Sequence, residues 1–400
     1  MVLPMATAAE VGARIRDLRE RTEMQSQQLA AKVGIDPSAM SNIERGKRSV
    51  KTDELASIAD ALGVSPLAIL SPDSLLARMP VAARVQVAQL SDGSAVKRLT
   101  ALAELNEVLS EGGMPPTHKL THVPPADTVR WLETAIELAD WARQRLELDA
   151  PSPDRFSNLA EAIENRLGID VMVESYSRED FAGASITDWT FPFILVNQDQ
   201  PTTRALFTLA HELGHVLSKG GAILTLDVNL TALTNWERFA NAFAANFLMP
   251  EAHVNAIVKK QGREVGSLAT MLVEFGVSFE SLVYRLHNLA LINAAGRDQL
   301  KARGWTGVLN ELDDTSRRKA LLDSMGSLPE HRAPGLLSDR VFHGYQQGVV
   351  SVRPLAGLLH VDADGLLDRL VRNQDSMEVL NTRFLGDQAS ELERYSGNPV

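Results

Sequence analysis

A chain of 400 residues is too long for one small core and fits two or three domains. It has no cysteine, which excludes a disulfide framework and any thiolate-held metal. A net charge of -11 argues against a protein that coats nucleic acid along its whole surface. The opening MVLPMATAAE lacks the basic start of a secretory signal, and no apolar run approaches a membrane span, so a cytoplasmic protein with no membrane segment is expected.

The charge is unevenly spread. Between Glu10 and Lys51 there are nine Lys and Arg against six Asp and Glu, a modestly basic module on an acidic body. In that module, Val11, Ile15 and Leu18 recur at helical spacing among four arginines. QSQQLAAKVGI follows, with Leu29, Ala30 and Val33 as a short apolar face and Gly34 as a turn residue. DPSAMSNIERG then offers Asp36 as an N-cap and Pro37 at the first helical position. Two short helices about a glycine turn are the sequence form of a helix-turn-helix.

The run from Val11 to Leu70 resembles the XRE (phage Cro/C1-type) DNA-binding domain along its whole length. The resemblance implies a five-helix bundle whose third helix enters the major groove of an operator. Ser38, Ala39, Ser41 and Asn42 would then meet base edges, and Arg45, Lys47 and Arg48 would serve phosphates. One position departs from the family: Ser26 stands where a phosphate-contacting glutamine is usual, with Gln25 and Gln27 beside it, and Gln27 is the remaining candidate. Such domains act as dimers on two-fold sites, so a homodimer on double-stranded DNA is expected. Glu44 is read as structural, paired with an arginine of the first helix.

From Ser71 to Pro151 no strong motif occurs. The segment reads as helix, a break at Ser91 to Ser94, helix, a proline-flanked loop, and a further helix from Ala126 to about Leu148. His118 and His122 lie in that loop and receive no role.

FTLAHELGHVL, Phe207 to Leu217, carries the sharpest chemistry. On a helix, His211 and His215 project from one face a turn apart, so both reach one ion. Phe207, Leu209, Ala210, Leu213 and Leu217 give that helix an apolar face, and Pro201 to Thr203 supply its start. Neutral imidazoles suit Zn2+, which in hydrolytic sites takes three protein ligands and leaves a position for water. Glu212, adjacent but not ligating, suits a general base. For the third ligand, Glu237 leads because it lies on the mostly apolar helix of NWERFANAFAANFLMP, with Asn241 one turn on to hold a neighbouring group; Asp227 and Glu251 are the alternatives. Tyr176 and Tyr284 are candidates to stabilise an oxyanion. Upstream, Ile169 to Val173 and FPFILVN read as strands.

The block from Asp149 to Pro250, with RLGIDVMV, ILVNQDQPTTRALFTLAHELGHVL and ERFANAFAANFLMP, resembles the ImmA/IrrE metallopeptidase family. That resemblance implies zinc on His211, His215 and Glu237 in a gluzincin-like set, and Glu212 as base. VGSLATMLVEFGVSFESLVYRLHNLALI looks like the helical tail of that core. VFHGYQQGVVSVRPLAGLLHVDADGLLDRLV faintly echoes a second helix-turn-helix but is not basic, and is read as a partner-binding or dimerisation element.

The expectation is therefore a mostly α protein with a small α+β part. Residues 9–72 form a helix-turn-helix domain, 73–148 a helical connection, 149–260 a zincin-like metallopeptidase core and 261–400 a helical C-terminal region. Functionally it reads as a promoter-binding regulator that acts by, or is regulated by, proteolysis of a protein substrate. The alternative is an antitoxin that represses its operon and masks a cognate toxin such as a PIN-type nuclease.

Overall fold

The computed structural model describes residues 7–373 except 22–23, 63–65, 71–93, 118, 128, 149–154, 177–180, 220–223, 229–233, 263–264, 312–314, 324–327 and 329–330. The helix expected before Ser91 and the loop histidine His118 lie outside the described residues.

The first domain is the five-helix bundle expected: α1 (Ala8–Arg21), α2 (Ser26–Val33), α3 (Pro37–Glu44), α4 (Thr52–Leu62) and α5 (Pro66–Leu70). Val11, Ile15, Leu18, Leu29, Ala30, Met40, Ile43, Ile58 and Leu62 are buried, the residues at helical spacing, and of the arginines of α1 Arg19 is buried with them. Asp36 caps α3 by accepting from the backbone N–H groups of Ser38 and Ala39. The Arg19 guanidinium donates to both oxygens of Glu44, at 2.7 and 3.1 Å, and so ties α1 to α3.

The central domain is built on a four-stranded sheet in the order β1 (Asp170–Glu174), β3 (Phe193–Asn197), β2 (Phe181–Ile186), β4 (Leu224–Val228). β1 runs parallel to β3, and the other pairs are antiparallel. Two of these strands were legible in the sequence; β2 and β4 were not. Val171, Val173, Ile194 and Val196 face a helical layer of α7 (Trp131–Leu146), α8 (Arg155–Ala162, continued by a π-helical turn Ile163–Leu167), α9 (Thr202–Ser218) and α10 (Asn235–Leu248). Their neighbours Met172, Phe193 and Leu195 lie in the cluster on the opposite face. Burial on both faces makes these strands continuous apolar runs. α7 begins five residues later than expected; just ahead of it Asp127 accepts from the N–H of Val129 at 2.7 Å.

The opposite face is covered by segments distant in sequence. α6 (Ser94–Glu111) packs with α16 (Gly335–Gln346), and α17 (Val352–Leu359) and α18 (Ala363–Asn373) follow on. Polar ties fix them. Arg340 donates to Asn106 Oδ1 at 2.9 Å and to the Met114 carbonyl at 2.8 Å, and Arg332 donates to both oxygens of Glu164, at 2.9 and 2.6 Å. Arg332 also exchanges backbone hydrogen bonds with Val173 of β1. In the chain between α10 and α16 come α11 (Glu251–Gln261), α12 (Val265–Phe275), α13 (Phe279–Asn288), α14 (Ala294–Asn310) and α15 (Thr315–Asp323), of which α11 to α14 share a third apolar cluster. No single described helix is long and apolar enough to cross a membrane.

α17 and α18 repeat the geometry of α2 and α3. α17 ends on His360 at φ 54°, ψ 41°, as α2 ends on Gly34 at φ 68°, ψ 26°. Val361 N–H donates to the Ala356 carbonyl as Ile35 N–H does to that of Ala30, each at 3.0 Å. Asp362 accepts from the Gly365 N–H at the start of α18, and Leu355, Ala356 and Leu366 are buried where Leu29, Ala30 and Met40 are. The C-terminal echo is thus a second helix-turn-helix pair. Its outer positions matching Ser38, Ser41 and Asn42 are Asp364, Leu367 and Asp368, two carboxylates where a duplex would present phosphates.

Candidate metal centre and DNA-facing helix

α9 and α10 cross beside the sheet and bring three ligand-type side chains together. The Nε2 atoms of His211 and His215 stand 3.1 Å apart. Glu237, on the first turn of α10, places Oε2 3.3 Å from His211 and Oε1 3.3 Å from His215. α10 starts here because Thr234 caps it, its hydroxyl accepting from the Glu237 N–H at 3.2 Å. Among the described residues this is the group of His and carboxylate side chains able to hold an ion. Asp227 lies in β4 rather than a loop, and Glu251 opens α11, outside the group.

The donor set fits zinc. A tetrahedron with ligands about 2.0–2.1 Å from its centre has edges of about 3.4 Å, close to the separations between these donors. The His211 imidazole is oriented as a metal ligand is: its Nδ1 lies 3.2 Å from Asn241 Oδ1, and a proton on Nδ1 leaves Nε2 as the donor to metal. Both histidines are buried. Burial opposes ionisation of Glu237, yet hydrogen bonds from His211 and His215 and their charge outweigh it and hold its carboxyl well below the usual range.

Glu212, next after His211 on α9, packs against β2 and is fully buried. Ser185 of β2 donates its hydroxyl to Glu212 Oε2 at 2.6 Å. Sequence reasoning missed Ser185, because FAGASI has too little polar–apolar alternation to read as a strand. Two glycines make the close packing possible. A Cβ at Gly183 would stand 2.6 Å from Thr208 and 3.4 Å from Glu212, and one at Gly214, inside the HELGH run, would stand 2.9 Å from the Phe243 ring of α10. The tyrosines do not join the group: the Tyr176 hydroxyl donates to Glu174 at 2.6 Å, and the Tyr284 hydroxyl accepts from Lys301 at 2.8 Å.

On the first domain, α3 carries Ser38, Ala39, Ser41 and Asn42, with Arg45, Lys47 and Arg48 just beyond. Gln27, Ser38, Arg45 and Lys47 are exposed; the other four are half-buried. Several are engaged within the domain. Ser38 donates to Asp36 at 2.5 Å, Arg45 to the Ser41 hydroxyl, and Arg48 to Glu54 at 2.7 Å.

The architecture defines a class: a helix-turn-helix bundle followed by an α+β core with an H-E-x-x-H helix against its sheet. Residues 10–69 match the family profile of a helix-turn-helix domain, and residues 164–287 match that of an IrrE N-terminal-like domain, peptidase M78. The chain is a helix-turn-helix domain fused to an IrrE-type peptidase-family domain. No curated protein matches it. Among solved structures it is similar to ComR from S. thermophilus in complex with DNA and its signalling peptide ComS, at 14% identity over 78% of this chain and 97% of that chain, with a TM-score of 0.23. ComR from Streptococcus suis is similar at 10% identity over 99% of this chain and 97% of that chain, with a TM-score of 0.16. Superpositions this loose carry no argument about fold or function.

Proposed function

We propose that this chain is a transcription regulator that binds an operator through α3 as a homodimer and holds zinc on His211, His215 and Glu237, with Glu212 the general base of peptide-bond hydrolysis. The observation that carries the metal is the convergence of two imidazole Nε2 atoms and one carboxylate at 3.1–3.3 Å on two packed helices. Zinc, when bound, supplies a Lewis acid that polarises a carbonyl and brings the pKa of a water toward neutrality. Glu212 takes a proton from the attacking water and passes it to the leaving amine. Ser185 keeps its carboxylate aimed by donating to Oε2, and Asn241 keeps the His211 ring turned with Nε2 toward Glu237.

The antitoxin reading, in which the peptidase fold is a scaffold that masks a toxin, is favoured by one observation. Glu212 is 0% exposed, so a peptide reaches it only if the site opens. A quenched fluorogenic peptide library separates the two. Cleavage by the zinc-loaded protein that disappears in Glu212→Gln supports hydrolysis; no cleavage by either, with duplexes still selected from a random pool, favours the scaffold. Failure to select any duplex overturns the regulator.

A further inference from the structure

Away from the His–His–Glu group, helices α11 to α14 line a half-open cavity of about 310 Å³. Leu268, Met271, Leu286, Leu291, Ile292 and Leu300 make its wall apolar. An apolar cleft with a few polar groups at its edge is the usual form of a small-molecule site.

The polar edge is specific. Arg303 and Glu311 line the cavity and form an ion pair across Gly307, where α14 is broken by Gly304 at φ 66°, ψ 172°. The Arg303 side chain lies over Gly307, where an added Cβ would stand 2.5 Å from its Cγ. While Nη2 serves Glu311, the Nε–H is buried and has no acceptor among the described residues. A buried donor left unsatisfied costs free energy that a ligand acceptor would recover. Glu311 already neutralises the guanidinium, so a carboxylate would have to displace it, whereas a neutral carbonyl oxygen can meet Nε without disturbing the pair.

We propose that this cavity binds a small, uncharged, mainly aliphatic molecule carrying one carbonyl acceptor, its chain among the leucines and its oxygen on Arg303 Nε. At roughly 30 Å³ per water-sized group, the cavity takes about ten non-hydrogen atoms. One wall is continuous with the metal-centre helices: next to Leu286, Arg285 donates to Asn246 and to the Met249 carbonyl at the end of α10. The site rests on α11 to α14 alone and stands whether or not the His–His–Glu group turns over peptides.

The test is calorimetric titration of the full-length protein with 2-nonanone and, as an anion with the same number of non-hydrogen atoms, octanoate. Binding of 2-nonanone with a Kd below about 1 mM is expected, with octanoate at least about tenfold weaker. Ile292→Trp at the rim and Leu268→Trp in the wall should each weaken 2-nonanone at least about tenfold, and Arg303→Met about tenfold. Circular dichroism checks each variant; if the buried Leu268→Trp fails to fold, the half-buried Ile292→Trp decides. No binding of 2-nonanone, or binding unchanged in the folded tryptophan variant, overturns the site. Octanoate binding as tightly as the ketone, or affinity unchanged in Arg303→Met, overturns the ligand class.

Discussion

Replacing Asp170 by Asn tests how the edge of the sheet carries its charges. Asp170 is 5% exposed and accepts the Leu337 N–H at 3.0 Å, joining β1 to the start of α16. Burial, and after it the negative charge of Glu164, push its carboxyl up to about 7 against the pull of the Leu337 N–H, Arg340 and Arg332. The folded value is above the unfolded one, so the stability associated with this group is fully present below about pH 4 and is lost as the pH rises through 7. The shift of roughly three units, at about 1.36 kcal/mol each, bounds the loss near 4 kcal/mol. Asn keeps the acceptor for Leu337 and cannot ionise. The difference in stability between Asp170→Asn and the wild type, from urea unfolding followed by near-UV circular dichroism, should therefore grow by about 3 kcal/mol in favour of the variant between pH 4.5 and pH 8. A pH-independent difference, or a variant less stable than wild type at pH 8, would mean that Asp170 is held ionised by its two arginines and would refute the reasoning.

Asn241→Ala should weaken zinc binding about 10–100-fold against a competing chelator while His211 and His215 remain; unchanged affinity would remove Asn241 from the site. Glu44→Ala leaves Arg19 buried without its bidentate partner and should cost about 3–5 kcal/mol, seen as faster hydrogen exchange in α1 and α3 with α9 and α10 unaffected. Protection equal to wild type would make that pair dispensable. Lys47→Ala should lower the slope of log affinity against log salt by about 1 on any selected duplex, without changing which duplex is preferred; an altered preference would place Lys47 on bases instead.

Elements defined by local pattern were readable from the sequence. The helix-turn-helix follows from Leu29, Ala30 and Val33 before a glycine and from Asp36 ahead of Pro37, all within twenty residues. The HELGH helix announces itself by apolar spacing on both sides of the histidines, and Glu237 lies on a mostly apolar helix. β2 was hidden because Gly183 and Ser185 are small where Thr208 and Glu212 pack, Ala182 and Ala184 alternate with them, and small residues carry no strand signal. The pairing of α6 with α16 joins segments more than 200 residues apart through Arg340 and Asn106, and no local pattern encodes such a contact. The second helix-turn-helix was half visible: Leu-Ala-x-x-aliphatic-x-β-branched-Asp occurs at 29–36 and again at 355–362, but the acidic surface of the second copy masked the likeness. Arg45 and Arg48, read from sequence as phosphate contacts, are engaged with Ser41 and Glu54 in the free chain, an exchange that only the three-dimensional arrangement reveals.

The central claim is a metal held by three side chains on α9 and α10. Its most direct test is the metal content of the purified full-length protein, by mass spectrometry, beside His211→Ala and Glu237→Ala. The account predicts close to one zinc per chain in the wild type and little in either variant, with the fold retained. A wild type without metal, or a Glu237→Ala variant that keeps its zinc, would contradict the ligand set and leave the domain as a binding scaffold.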